Sequence, residues 1–215
     1  MGTEKIIQIG PHRVRHGNIY EQAGIEALVG NDKADIFYSD PPWGSGNLKF
    51  WDTMNKKMND DAQAYDFGFD VDRFLDTVIS CSVKYTKGFV VIEYGKRWSQ
   101  RLMELAQKKG LYFCGCVEAL YKGGGKNLPL DIVVFHTEEA KQVDLSRAHH
   151  TIGYNAVKTM FNILSPCDGS IGMDLCCGMG FTAQACIDNN MRFIGNELNE
   201  KRLQKTIERL RKAGR

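Results

Sequence analysis

The sequence is short of several things at once, and each shortage closes off a class of protein. No apolar run approaches the length of a membrane span. The first residues, MGTEKIIQIG, lack the apolar stretch of a secretory leader, so a soluble protein of the cytoplasm, in a bacterial or phage-infected cell, is expected. The seven cysteines, at 81, 114, 116, 167, 176, 177 and 186, include no C-x-x-C pair, which argues against zinc and for reduced thiols; no metal is expected. Neither sign of charge prevails: Lys and Arg total 28 against 26 Asp and Glu, a net charge of +2 that does not by itself point to nucleic acid. Repeats and low-complexity segments are absent. Proline is scarce too, at five residues, and two of the five are adjacent, Pro41-Pro42.

What is present is an ordinary globular mixture, 43% hydrophobic and 25% charged, in a chain long enough to bury a core without disulfides or metal. Short apolar runs at 13–16, 35–39, 88–93, 113–120, 132–136, 171–176 and 192–197 are bounded by Gly, Asp or Lys and predict buried strands. Helical patterns at 72–85, 98–109, 156–164, 182–189 and 199–213 lie between or after them, the second stopped by Gly110. The alternation predicts a single domain, 1–215, of the α/β class: a doubly wound, mainly parallel sheet of seven strands. Two stretches fit neither pattern. Residues 44–70 are polar with Phe50, Trp51, Tyr65 and Phe67 interspersed, and 122–130 (KGGGKNLPL) are basic and glycine-rich. The loops 44–70 and 122–148 are therefore the candidate substrate-recognition elements.

The run Asp174-Leu175-Cys176-Cys177-Gly178-Met179-Gly180-Phe181-Thr182 follows a strand and opens a helix. Glycines there let a ligand approach the backbone, and the helix start offers free N–H donors. Glu197 ends the following strand, where a carboxylate can accept both hydroxyls of a ribose. An adenosine-bearing cofactor follows. A dinucleotide loop tolerates this spacing as well, but Asp174 ahead of the glycines would repel a pyrophosphate and suits the methionine part of S-adenosylmethionine.

The second motif is Asp40-Pro41-Pro42-Trp43, at the end of an apolar strand. Each proline fixes φ, and the first also restricts Asp40, so a carboxylate and a carbonyl are held stiffly. That pair can accept the two hydrogens of an exocyclic amino group, turning a poorly nucleophilic nitrogen's lone pair outward and stabilising its developing positive charge. Trp43 offers a face on which a base can stack.

Together the two motifs make the chain resemble the class β, permuted amino-methyltransferases of nucleic acids, and among them phage-type DNA adenine-N6 enzymes. In these a DPPW or DPPY motif precedes the cofactor loop, as Asp40–Trp43 precedes Asp174–Gly180 here. The resemblance implies a Rossmann-like methyltransferase fold with permuted motif order and methyl transfer from S-adenosylmethionine to adenine N6 in DNA. Asp40, Pro41, Pro42 and Trp43 are the implied catalytic group. Asp174, Gly178 and Gly180 match the family's cofactor loop, with Cys176 and Thr182 beside them, and Glu197 matches the ribose-binding acid. His149-x-Thr151 resembles the segment that lines the methionine side, and His16-Gly17-Asn18 the element beside the cofactor adenine. Departures are Leu175 and Cys176 for Pro and Phe, Gly153 for a lysine, and Asn18 for Asp. Substrate contacts are expected of Phe50, Trp51, Lys96, Lys122 and Lys126. RNA adenine, cytosine N4 and a non-catalytic subunit supporting an active partner remain alternatives, and the small recognition region leaves room for a homodimer or a separate specificity subunit.

Overall fold

Alternating apolar runs become eight strands of one sheet in the computed structural model, which describes residues 6–43, 70–123, 125–139 and 142–213. The strands are β1 (Ile6–Ile9), β2 (His12–His16), β3 (Ala34–Ser39), β4 (Thr86–Tyr94), β5 (Tyr112–Gly123), β6 (Lys126–His136), β7 (Ile171–Asp174) and β8 (Arg192–Glu197). Their order across the sheet is β1-β2-β8-β7-β3-β4-β6-β5. The five from β2 to β4 are mutually parallel, and β1, β6 and β5 are antiparallel to their neighbours. The central strands read as continuous hydrophobic runs because both faces are covered: Phe37, Val90, Val91, Ile92, Met173 and Phe193 are all completely buried or nearly so.

Six α-helices are described: α1 (Gln22–Val29), α2 (Val71–Tyr85), α3 (Ser99–Lys108), α4 (Tyr154–Leu164), α5 (Phe181–Asp188) and α6 (Glu200–Ala213). Helix α2 is capped by the Asp70 carboxylate, which accepts from Arg73 N at 2.9 Å, and it buries Phe74, Leu75, Val78 and Ile79 on one face. In α6, Leu203, Ile207 and Leu210 face the core while Lys201, Lys205, Arg211 and Lys212 are exposed. That basic face is thus solvated, as a helix of this pattern usually is, but Arg202 and Arg209 are half-buried and engaged elsewhere.

The seven expected strands all form, and three expectations need correction. The sheet has an eighth strand, β1, which pairs with β2 across a Gly10-Pro11 turn with Gly10 at φ +53°. The strand expected over 171–176 stops at Asp174, because Leu175 and Cys176 already turn into the glycine loop. The stretch 122–130 is not a loop: β5 runs on to Gly123, and β6 starts at Lys126. Tyr94 at the end of β4 pairs with Asp131, so residues 126–130 of β6 project with β5 past the carboxyl end of β4. Pro129 is tolerated there because β6 has only one neighbour in that overhang, and its missing N–H breaks no central ladder.

Candidate active site

The strand order reverses between β7 and β3, whose connections leave to opposite sides of the sheet; ligands of open α/β sheets bind at such a point, beyond the carboxyl ends of the strands. Ser39 ends β3 with Asp40 just beyond it, and Asp174 ends β7. Ser39 Oγ donates to Asp174 Oδ1 at 3.1 Å, Cys176 N to the same oxygen at 3.0 Å, and Thr182 Oγ1 to Asp174 Oδ2 at 2.7 Å. This buried carboxylate fastens the loop at both of its ends to β3. Burial raises its pKa to about 7, against the three hydrogen bonds that oppose the rise.

The loop's shape depends on two glycines in the left-handed region, Gly178 at φ +52° and Gly180 at φ +83°. A Cβ on Gly180 would lie 3.0 Å from the Thr206 Cα, so α6 presses directly against the loop. Thr206 Oγ1 donates to Gly178 O at 3.1 Å and Arg209 Nε to Met179 O at 2.8 Å. Glu197 Oε2 accepts from Gly178 N at 2.7 Å and Oε1 from Asn199 N at 2.8 Å, which orients the carboxylate and leaves each oxygen further acceptor capacity. Burial raises the Glu197 pKa, opposed by these N–H groups and by Arg202 and His16.

On the next strand out, Gly17 N donates to Glu197 O at 3.0 Å, bringing the His16-Gly17-Asn18 turn to the same rim. Asn18 Oδ1 accepts from Tyr20 N at 3.0 Å. Beneath it lies a residue that sequence reading missed, the fully buried Arg15, which donates to Asn196 Oδ1 at 2.8 Å, reaches Asn18 O at 3.3 Å and pairs with Glu21. Gly17 and Gly24 make room for it: a Cβ at either would stand 2.2–2.4 Å from the guanidinium group.

Asp40 is solvent-exposed as a residue, but its carboxyl group is closely surrounded by protein atoms. Burial, followed by the nearby carboxylates Glu93 and Asp174, holds its pKa well above the usual carboxylate range, and Arg202 opposes them. Ser39 pairs with Ile92, so Asp40 stands level with Glu93 on β4. Glu93 is buried, accepts from the Tyr38 hydroxyl, and has a pKa pushed up to about 7, chiefly by burial. Glu93 and Arg202 carry no motif in the sequence, since no proline or glycine adjoins either.

Trp43 is 9% exposed, its ring edge-on to Tyr121 of the overhanging hairpin at 5.2 Å and 81°. It lies over Gly95, where a Cβ would be 2.3 Å from the indole Cδ1. Pro41 is buried and Pro42 half-buried. The structure thus brings Asp40, Pro41, Pro42, Trp43, Asn18, Asp174, Cys176, Gly178, Gly180, Thr182 and Glu197 to one edge of the sheet. Thr151 is further off: its hydroxyl donates to Ala148 O at 2.6 Å and its carbonyl accepts from Leu120 N on β5 at 2.9 Å. Its segment meets the loop through Gly153, whose Cβ position is 3.8 Å from Phe181. Lys96 follows β4 and pairs with Glu118; Lys122 and Lys126 are exposed at the tip of the overhang. Phe50, Trp51 and most of the 44–70 stretch lie outside the described residues.

No family model and no curated protein matches the chain. Among solved structures it is similar to M1.HpyAVI, with a TM-score of 0.63 and 16% identity over 92% of this chain and 97% of that one. It is also similar to TTHA0409 of Thermus thermophilus, which bears the name of a DNA modification methylase and was solved in complex with S-adenosyl-L-methionine (TM-score 0.61, 16% identity, 94% of each chain). PvuII DNA methyltransferase, a cytosine-N4-specific enzyme, matches at TM-score 0.66 and 9% identity over 92% of this chain and 86% of its own. At these identities the likeness defines the fold: the mixed, mostly parallel α/β sheet expected from the sequence is the one these methyltransferases share. No helix among the described residues is long and apolar enough to cross a membrane.

Proposed function

We propose that the chain is an S-adenosylmethionine-dependent methyltransferase acting on the N6 amino group of adenine in DNA. One observation carries the reading: the Asp40-Pro41-Pro42-Trp43 turn and the glycine loop leave adjacent parallel strands, tied by the Ser39–Asp174 hydrogen bond. M1.HpyAVI, which has also been solved as a complex with that cofactor, and TTHA0409 support it by fold. The motif order, with Asp40 ahead of Asp174, is that of the permuted class.

The residues suit the cofactor. Two left-handed glycines open the loop, and Glu197 keeps acceptor capacity for ribose hydroxyls after binding its own backbone donors. Asp174, Cys176, Gly178, Gly180, Thr182, Glu197 and Asn18 would surround it, and when bound it supplies an electrophilic sulfonium methyl group. Asp40 and the Pro41 carbonyl accept the two amino hydrogens of the base and stabilise the charge that grows on its nitrogen. Pro42 holds the turn, and Trp43, braced by Tyr121 and Gly95, forms the wall against a base that must first leave the duplex, at a cost of a few kcal/mol. Lys122 and Lys126 on the projecting hairpin, and Lys96 beside it, would meet phosphates. With so short a recognition surface, a second copy or a separate subunit would supply sequence specificity.

The second reading is cytosine N4, favoured by the likeness to PvuII methyltransferase. The two amino groups ask the same of Asp40 and Pro41. Incubation with labelled S-adenosylmethionine and either DNA or RNA, followed by nucleoside analysis, tests both. Label in N6-methyladenine from DNA is expected. Label confined to N4-methylcytosine, or to RNA, would overturn the adenine or the DNA assignment, and a chain that binds the cofactor without transferring methyl would be the supporting subunit instead.

A further inference from the structure

A groove of about 640 Å³ lies away from the switch point, along the outer edge of β5. The segment after β6 runs beside that edge, held by Val143 N to Cys114 O at 2.8 Å, His150 N to Glu118 O at 2.9 Å and Leu120 N to Thr151 O at 2.9 Å. Between the first two ties it bows outward in a 3₁₀ turn, Ser146–Ala148, and leaves a groove lined by Cys116, Asp144 and His149 among others.

At one end of the groove His150 takes φ +57°, an unfavourable conformation for a residue with a side chain. The bend sets the consecutive imidazoles of His149 and His150 face to face, with centroids 3.7 Å apart and planes at 25°. His150 Nε2 stands 3.0 Å from Glu118 Oε1, and one ligand atom from each of Glu118, His149 and His150 falls within 4.8 Å of the others. Two ligands of one tetrahedral zinc ion, each about 2.1 Å from the metal, are about 3.4 Å apart. The His150–Glu118 pair is already near that spacing, and both histidines are exposed, which leaves their rings room to turn.

We propose that Glu118, His149 and His150 bind a divalent transition ion of borderline softness, Zn²⁺ or Ni²⁺, beside the groove that His149 lines. Imidazole nitrogen with one carboxylate oxygen is the donor set such ions take, whereas Mg²⁺ and Ca²⁺ prefer oxygen alone. The ion would staple the 142–152 segment to β5. It competes with the Lys96 ammonium for Glu118. Sequence spacing hid the set, since Glu118 is far from the two histidines along the chain.

The test is titration of tag-free, metal-stripped protein with Zn²⁺ against a chromophoric chelator, with Ni²⁺ in parallel. One equivalent bound at micromolar affinity or tighter is expected, with a higher thermal midpoint in the presence of Zn²⁺. Affinity should fall roughly tenfold or more in both His149→Ala and Glu118→Gln. Lys96→Ala should bind more tightly. Circular dichroism checks that the variants fold, and Cys116→Ser should leave binding unchanged. Absence of a micromolar equivalent in the parent protein, binding retained in both His149→Ala and Glu118→Gln, or binding lost in Cys116→Ser would overturn the assignment.

Discussion

Ser39 Oγ and Asp174 Oδ1 meet at 3.1 Å although 135 residues separate them in the chain. The bond joins the two strand ends that carry the site, and its donor and acceptor are both buried. Ser39→Ala removes one of three donors to a buried carboxylate. A loss of about 1–3 kcal/mol in stability is expected, together with weaker binding of S-adenosylmethionine. Denaturant unfolding and calorimetric titration measure the two effects; an unchanged variant would mean that the strand ends are held by other contacts.

Asp40→Ala separates chemistry from cofactor binding. Removing one preorganised acceptor at a centre of developing charge should slow methyl transfer by about 10²–10³-fold. Cofactor affinity should be nearly unaffected, because the loop contacts run through Asp174 and Glu197. Single-turnover transfer and cofactor titration on the same preparation give the split, and wild-type turnover would remove Asp40 from the proposed mechanism.

Gly95→Ala tests the bracing of Trp43. The added methyl would sit 2.3 Å from the indole Cδ1 and 2.4 Å from its Nε1, so the ring must move. Overpacking of this kind costs about 1–3 kcal/mol. A lower thermal midpoint, altered tryptophan emission and slower transfer are expected together; slower transfer with unshifted emission would point to a cause other than the ring.

Glu93 and Asp174 have pKa values raised to about 7, and that of Asp40 is raised as well, in each case mainly by burial. Acids raised on folding bind more protons in the native state, so their contribution to stability is full below their unfolded values, near 4, and is lost as pH rises through about 7. The thermal midpoint should therefore fall from pH 5 to pH 8, and less steeply in Glu93→Gln. Transfer should move the other way, since Asp40 accepts amino hydrogens best when ionised. A pH–rate profile that falls over that range would contradict this role.

The strands were legible in the sequence because they are apolar runs punctuated by Gly, Asp or Lys, and the residues at their ends gave most of the site. Asp40, Asp174 and Glu197 stood out because prolines or glycines flank them or precede the next helix. Glu93 lies one residue before the end of β4 and has no such punctuation beside it. Helix α1 has Gly24 in its interior and no side-chain cap, which left it with little helical signal. Strand β1 is only four residues long, and the basic glycine-rich stretch at 122–130 masked a hairpin whose register is set by pairing across the sheet. Arg15 and the Glu118–His149–His150 cluster arise from contacts between distant segments, which local periodicity does not encode.

The adjacency of β3 and β7 has a further consequence, for connectivity. Neighbouring strands sit about 4.8 Å apart whatever length of chain runs between them. The site therefore depends on which strands are neighbours and not on the order in which the chain visits them. Joining the ends and cutting the chain anew in a connection remote from the carboxyl edge would rearrange the sequence while leaving the same two turns side by side.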